Sequence, residues 1–226
     1  LKSASDRIRS RLDAAGVRYY ANDCIAGHIE PGELDQLERE LSERVLGVLD
    51  ALVIDTRNDH NTRDTANRIA RMYVRELFKG RYTEPPAATS FPNAMKLDEL
   101  YVVGPIAVRS CCAHHLCPVE GSAWCGVIPS ERVIGLSKFS RLADWVLSRP
   151  QTQEEAVMQL ADLLESVMGR PQGLAVVIKA RHSCMTWRGV REANTMMTTS
   201  VMRGIFQHGL AARAEFFSIV NNGGGK

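Results

Sequence analysis

The chain has no apolar run approaching the length of a membrane-spanning helix, which argues against an integral membrane protein. Its first residues, Leu1 to Leu12, alternate charged and small side chains and lack the apolar core of a secretion signal. The chain also opens without an initiator Met, as a trimmed or processed chain would. Charge of one sign is not in excess: 28 Lys and Arg stand against 26 Asp and Glu, a net charge of +2. No strong field therefore argues for nucleic acid or a membrane surface as partner, although formal charge says nothing about a local patch. Internal repeats are lacking too. What remains, 45% apolar and 24% charged residues over 226 positions, is ordinary for a soluble globular protein. It suffices for one substantial domain with a helical extension.

Six cysteines stand at 24, 111, 112, 117, 125 and 184. They can be read as a disulfide framework, but a chain with this apolar fraction needs none, and four of them crowd into residues 111–125. Reduced thiols and a cytoplasmic location are the expectation.

The hydrophobic pattern is helical first and mixed later. Residues 1–30 give no clear period, and Pro31-Gly32 is a break. From Glu33, Leu34, Leu37, Leu41, Val45, Val48, Leu49 and Leu52 recur at helical spacing. A second helix is expected from Thr62 or Asp64 to Lys79, ended by Gly80. Residues 81–94, with three prolines, read as the longest irregular connection. Strands are expected over 97–109, 121–129 and 173–185, and helices over 137–148 and 152–168, with a last helix from about Thr198. On the 173–185 strand, His182 and Cys184 share parity and would be neighbours on one surface. The fold class is α+β. Residues 1–94 are expected to form a helical region, 95–220 the main domain and 221–226 a disordered tail.

Cys112 and His115 are separated by two residues, and His182-x-Cys184 returns about seventy residues later. A Cys-x-x-His turn places a thiolate and an imidazole on one ion, and Cys184 supplies a third ligand. Three protein ligands leave a fourth position open, the arrangement of a catalytic rather than a structural zinc. Each residue alone reads as a buried thiol or a satisfied histidine; together they read as a metal site. Cys117 could close the tetrahedron, though Pro118 follows it, and Cys111 could replace Cys112. His114 and His182 flank these ligands and are natural proton carriers.

Two weaker signals accompany the cluster. Ser137 opens a helix with Lys138 and Arg141 close behind, which reads either as an anion site or as a solvated basic turn. Arg188 and Arg68 could add charge to the same anion. In Gln153-Glu154-Glu155, a carboxylate can meet a planar amidine edge or merely favour a helix start. Trp124, Trp145 and Trp187 are simplest as core or interface aromatics, and Met196-Met197 as packing.

The blocks Cys112-Ala113-His114-His115, Val133-Ile134-Gly135-Leu136-Ser137-Lys138, Gln153-Glu154, His182-Ser183-Cys184-Met185 and Arg188-Gly189-Val190 resemble GTP cyclohydrolase I in order and spacing. The likeness extends from about Arg68 to Val220. It implies the tunnelling fold, an antiparallel sheet packed with helices and closed into a barrel by oligomerisation. It also implies homodecamers of two stacked pentamers. The implied reaction converts GTP and water to 7,8-dihydroneopterin triphosphate and formate. On this resemblance Cys112, His115 and Cys184 would hold Zn2+, and His114 and His182 would transfer protons. Glu154 would hold the guanine edge, and Ser137, Lys138, Arg141, Arg188 and Arg68 the triphosphate.

The chain departs from the family at Ala113, where a Glu is usual. Residues 192–199 read as one residue shorter than usual and poorer in hydroxyls, and Val119-Glu120 replaces a more apolar pair. These departures admit two further readings: an enzyme that opens a purine nucleotide and stops at a formylated pyrimidine or serves specialised metabolism, and an inactive zinc- and nucleotide-binding subunit.

Overall fold

Ser3 starts the first helix by accepting a hydrogen bond from the Asp6 N–H, so α1 (Ala4–Ala14) appears where the apolar period was too short to show. The computed structural model describes residues 2–222. It divides into two units between Glu84 and Pro85, rather than at 94/95. Residues 85–94 thus go with the second unit.

In the first unit, Ile8 and Leu12 of α1 pack with Ile25. Helix α2 (Glu33–Ala51) begins where the period does. Its first residue, Glu33, is 3% exposed. Burial of that carboxylate is offset by two charge-assisted bonds from Arg11, Nη1 at 2.9 Å and Nη2 at 2.8 Å, and by the Glu30 N–H at 2.9 Å. The second expected helix is subdivided. Helix α3 (Thr65–Arg71) passes into a π-helical turn over Met72–Leu77, followed by α4 (Lys79–Tyr82). Gly80 lies inside α4 and does not end the helix; the π-turn breaks the regular ladder before it.

The second unit is built on a five-stranded sheet. Its elements are β1 (Ser90–Pro92), β2 (Tyr101–Cys112), β3 (Pro118–Ile128), β4 (Arg132–Ile134), α5 (Leu136–Leu147), β5 (Pro150–Gln151), α6 (Gln153–Met168), β6 (Gly173–His182), α7 (Ser183–Thr186), β7 (Met197–Gly204), α8 (Ile205–His208) and α9 (Leu210–Asn222). The order across the sheet is β5-β2-β3-β6-β7, and β1 pairs separately with β4. All pairs are antiparallel except β2 with β5.

Both faces of the sheet are covered. Val176 and Ile178 of β6 pack on one side with Leu142 of α5 and Leu160 and Leu164 of α6. Ala175 and Val177 pack on the other with Phe206 of α8 and Phe216 of α9. The continuous apolar run of β6 is therefore explained by burial on both sides. This is the α+β architecture the sequence suggests.

Three expectations are corrected. The 173–185 strand ends at His182, and Ser183–Thr186 turns into a short helix. The segment from Met197 is not a helix but strand β7, in register with β6 through Val201↔Val176, and the closing helices start at Ile205 and Leu210. Asn221 and Asn222 end α9 rather than starting a disordered tail; residues 223–226 lie outside the described residues. Among the described residues no helix is long and apolar enough to cross a membrane.

Candidate metal centre and substrate site

The β2–β3 connection carries Cys112, His114 and His115. Strand β2 ends at Cys112, and the Cys112 N–H donates to the Cys117 carbonyl at 2.9 Å, closing a tight loop. The Leu116 N–H donates to the Cys112 carbonyl at 2.8 Å, and Leu116 takes a left-handed φ of 52°. The Ala113 N–H donates to the Gln151 carbonyl at 3.2 Å, which ties the loop to β5. Across the sheet, Val119 of β3 faces His182 of β6. That register sets the end of β6 beside the loop, and α7 then presents Cys184.

The result is a convergence of donors. One ligand atom each from Cys112, His115 and Cys184 lies within 4.8 Å of the others. Cys112 is buried, Cys184 half-buried and His115 exposed, so the group opens toward solvent on one side. Cys111 and Cys117 are not in this group. Cys111 points into the interior, where burial pushes its thiol up to about 12. All six cysteines are free thiols. Burial first, and then the hydrogen bond and charge of the neighbouring Cys112, raise the Cys184 thiol.

Two thiols and an imidazole suit a borderline-soft divalent ion such as zinc. Tetrahedral bonds of about 2.0–2.3 Å put neighbouring donors about 3.5–3.8 Å apart, so the three need draw in by about 1 Å at most. The donor set fits.

Around the group stand the other nominated residues. The Nδ1 of His114 is 3.7 Å from the Cys112 sulfur. Arg188 Nη1 donates to His115 Nε2 at 3.0 Å. His182 is half-buried, with its Nε2 2.8 Å from Gln153 Oε1. Burial lowers the His182 pKa, and the charge of Glu154 pushes the other way. Glu154 is thus placed near His182, whereas its neighbour Glu155 closes a capping box with Thr152. The two acids of this helix start are therefore distinct: Glu155 serves the helix, while the charge of Glu154 acts on His182.

Ser137, Lys138 and Arg141 lie on the first turns of α5, whose N-cap is Gly135 and not Ser137. Ser137 and Arg141 are exposed, and Lys138 donates to the Ala87 carbonyl at 2.9 Å. No hydrogen bond among the described residues joins this turn to the thiol–imidazole group. Arg68 is on α3 in the first unit, exposed and paired with Asp64 at 3.1 Å.

Gln153 was not nominated from the sequence. It is 4% exposed at the first position of α6, and its Nε2 donates to the Ile178 carbonyl at 3.0 Å, the Met197 carbonyl at 3.1 Å and Thr199 Oγ1 at 3.0 Å. The signal present was only its place beside Glu154 at the start of that helix.

Residues 41–221 match the family model for GTP cyclohydrolase I. The match begins inside α2, earlier than the motifs alone reach. The chain is 44% identical over 160 residues to the GTP cyclohydrolase 1 of Mycobacterium ulcerans, covering 70% of this chain and 78% of that protein. It is 40% identical over 196 residues to that of Mycobacteroides abscessus, covering 86% and 94%. It is 37% identical over 195 residues to that of Yersinia enterocolitica, covering 85% and 88%. With the curled sheet, its packed helices and these likenesses together, the chain belongs to the GTP cyclohydrolase I family.

Proposed function

We propose that the protein is a zinc-dependent GTP cyclohydrolase, which opens the imidazole ring of GTP at C8, releases formate and forms 7,8-dihydroneopterin triphosphate. The observation that carries this reading is the convergence of Cys112, His115 and Cys184 from two distant segments, with ligand atoms within 4.8 Å. When bound by these residues, zinc supplies a Lewis acid that brings the pKa of water toward neutrality.

The chain's own residues do the rest. Glu154 accepts two N–H groups from the amidine edge of guanine, a planar two-point contact. Ser137, Lys138, Arg141, Arg188 and Arg68 hold the triphosphate, and fixing that end aims C8 at the cluster. His182 gives a proton to the departing ring nitrogen as the C8–N9 bond breaks, and His114 or His182 moves protons in the later hydrolysis and ring closure. That no hydrogen bond among the described residues joins the α5 turn to the thiol–imidazole group favours a site completed by a second copy. So does β7, an eight-residue strand at the end of the sheet order. The proposed assembly is a homo-oligomer, two stacked pentamers, working in the cytoplasm where thiols stay reduced.

Incubation of zinc-loaded protein with GTP tests this: formate and a pterin that fluoresces after oxidation are expected, and neither product would remove the reading. Ala113 supports a second reading, an enzyme that stops at the formylated pyrimidine. Its methyl group offers no carboxylate to the paired histidines. Product mass separates the two, because only the full reaction loses the formyl carbon.

A further inference from the structure

The environment of His182 is more specific than its proposed role requires. Its Nε2 is 2.8 Å from Gln153 Oε1. Which end of the Gln153 amide faces the ring is decided by the other end. The Ile178 and Met197 carbonyls accept only, so the atom 3.0 and 3.1 Å from them must be the NH2. Thr199 Oγ1 lies 3.0 Å from the same NH2, whose two hydrogens are shared among the three acceptors. The oxygen is therefore turned to His182, and an amide oxygen can only accept. A neutral imidazole has one N–H and one lone pair. For the 2.8 Å contact to be a hydrogen bond, the N–H must sit on Nε2.

We propose that Gln153 is a positioning residue that fixes the ring of His182 and holds it, when neutral, as the Nε2–H tautomer, with the lone pair left on Nδ1. The device is rigid because Gln153 is buried and its NH2, with two hydrogens, lies within hydrogen-bond distance of three acceptors on β6 and β7. A 180° flip of the amide would face the oxygen toward two carbonyls, leaving buried acceptors unpaired and opposed. The His182 tautomer is thus fixed by backbone carbonyls of the sheet, acting through one side chain. The catalytic consequence rests on the reading of His182 as a proton carrier; the tautomer itself does not.

The test uses zinc-loaded full-length protein with 15N-labelled histidine, in which long-range 15N–1H spectra report the protonated ring nitrogen. His182 is assigned by the signal lost in His182→Gln. The expected result is protonation at Nε2 of His182 in the neutral ring. In Gln153→Met the preference is lost, and kcat falls about 10–100-fold while the KM for GTP changes less than about threefold. Thr199→Val, which removes one anchor and leaves both carbonyls, is expected to give a smaller loss in the same direction. Protonation at Nδ1 in the unsubstituted protein overturns the proposal, and this measurement stands even if Gln153→Met fails to fold. An unchanged tautomer in a folded Gln153→Met also overturns it. Full turnover in His182→Gln would be a different failure: it removes the proton-carrier reading and the catalytic consequence, whatever the tautomer.

Discussion

Arg188 and His115 are joined by a 3.0 Å hydrogen bond from Nη1 to Nε2, so a cation occupies the single lone pair of a neutral imidazole. The same imidazole belongs to the thiol–imidazole group. A metal ion and Arg188 cannot share that lone pair. A metal ion held there would displace Arg188, and on the proposed function the freed guanidinium would be available for phosphate oxygens.

Arg188→Ala is accordingly expected to bind zinc at full stoichiometry while the KM for GTP rises about 10–100-fold, the loss of one charged phosphate contact. Equilibrium dialysis with metal analysis, beside steady-state kinetics, checks both halves. A loss of zinc would show that Arg188 supports the ligands instead.

Cys112→Ser and Cys184→Ser are each expected to lose bound zinc and about 10²-fold or more of turnover, because a serine hydroxyl is a poor replacement for a thiolate ligand. Cys117→Ser, outside the converging group, is expected to keep both. Metal content by mass spectrometry after desalting decides it, and zinc loss in Cys117→Ser would mean a closed four-ligand site.

Ala113→Glu returns a carboxylate to the loop beside His114 and His115. A rate gain of about tenfold or more is expected if that carboxylate orients an imidazole. Formate release under single-turnover conditions is the measurement. No gain would show that another group already fills the role.

The first unit should weaken in acid through Glu33. Its carboxyl is held at about 2, chiefly by its hydrogen bond to Arg11, against an ordinary value of 4.5. The folded value is depressed, so the stabilisation is present above about pH 4.5 and is lost as pH falls toward 2. The shift caps it at ~3 kcal/mol, and solvent screening of the partly exposed arginine reduces it to about 1–2 kcal/mol. Glu33→Gln should lower Tm at pH 7, with the difference shrinking from pH 5 downward. A pH-independent difference in thermal unfolding would show that packing, not charge, is what Glu33 contributes.

Much of the second unit could be read from the chain. Helix α6 shows its apolar face in Val157, Leu160, Leu164 and Met168, all buried. The three donors that converge are those whose spacing singled them out. What stayed hidden depends on distant partners. Strand β7 was taken for a helix because Met197-Thr198-Thr199 has little period of its own, and only its pairing with β6 makes it extended. The turn at Ser183 was masked by the alternation of Val176, Ile178, Ala180 and His182, which runs smoothly into Cys184 although the strand stops. Gln153 stands in the quoted Gln153-Glu154 block, but its role is not legible there, because its four partners lie on two other elements, β6 and β7, none adjacent in sequence.

The facing of Val119 and His182 across β3 and β6 has a consequence for how this protein comes to possess its chemistry. A slip of one residue would turn His182 to the opposite face and carry Cys184 away from the β2–β3 loop. The donor trio is therefore a by-product of correct zippering of the sheet, and it exists only after that zippering is complete. An unfolded chain offers Cys112 and His115 within one local turn, but only the pairing of β3 with β6 brings Cys184 to them.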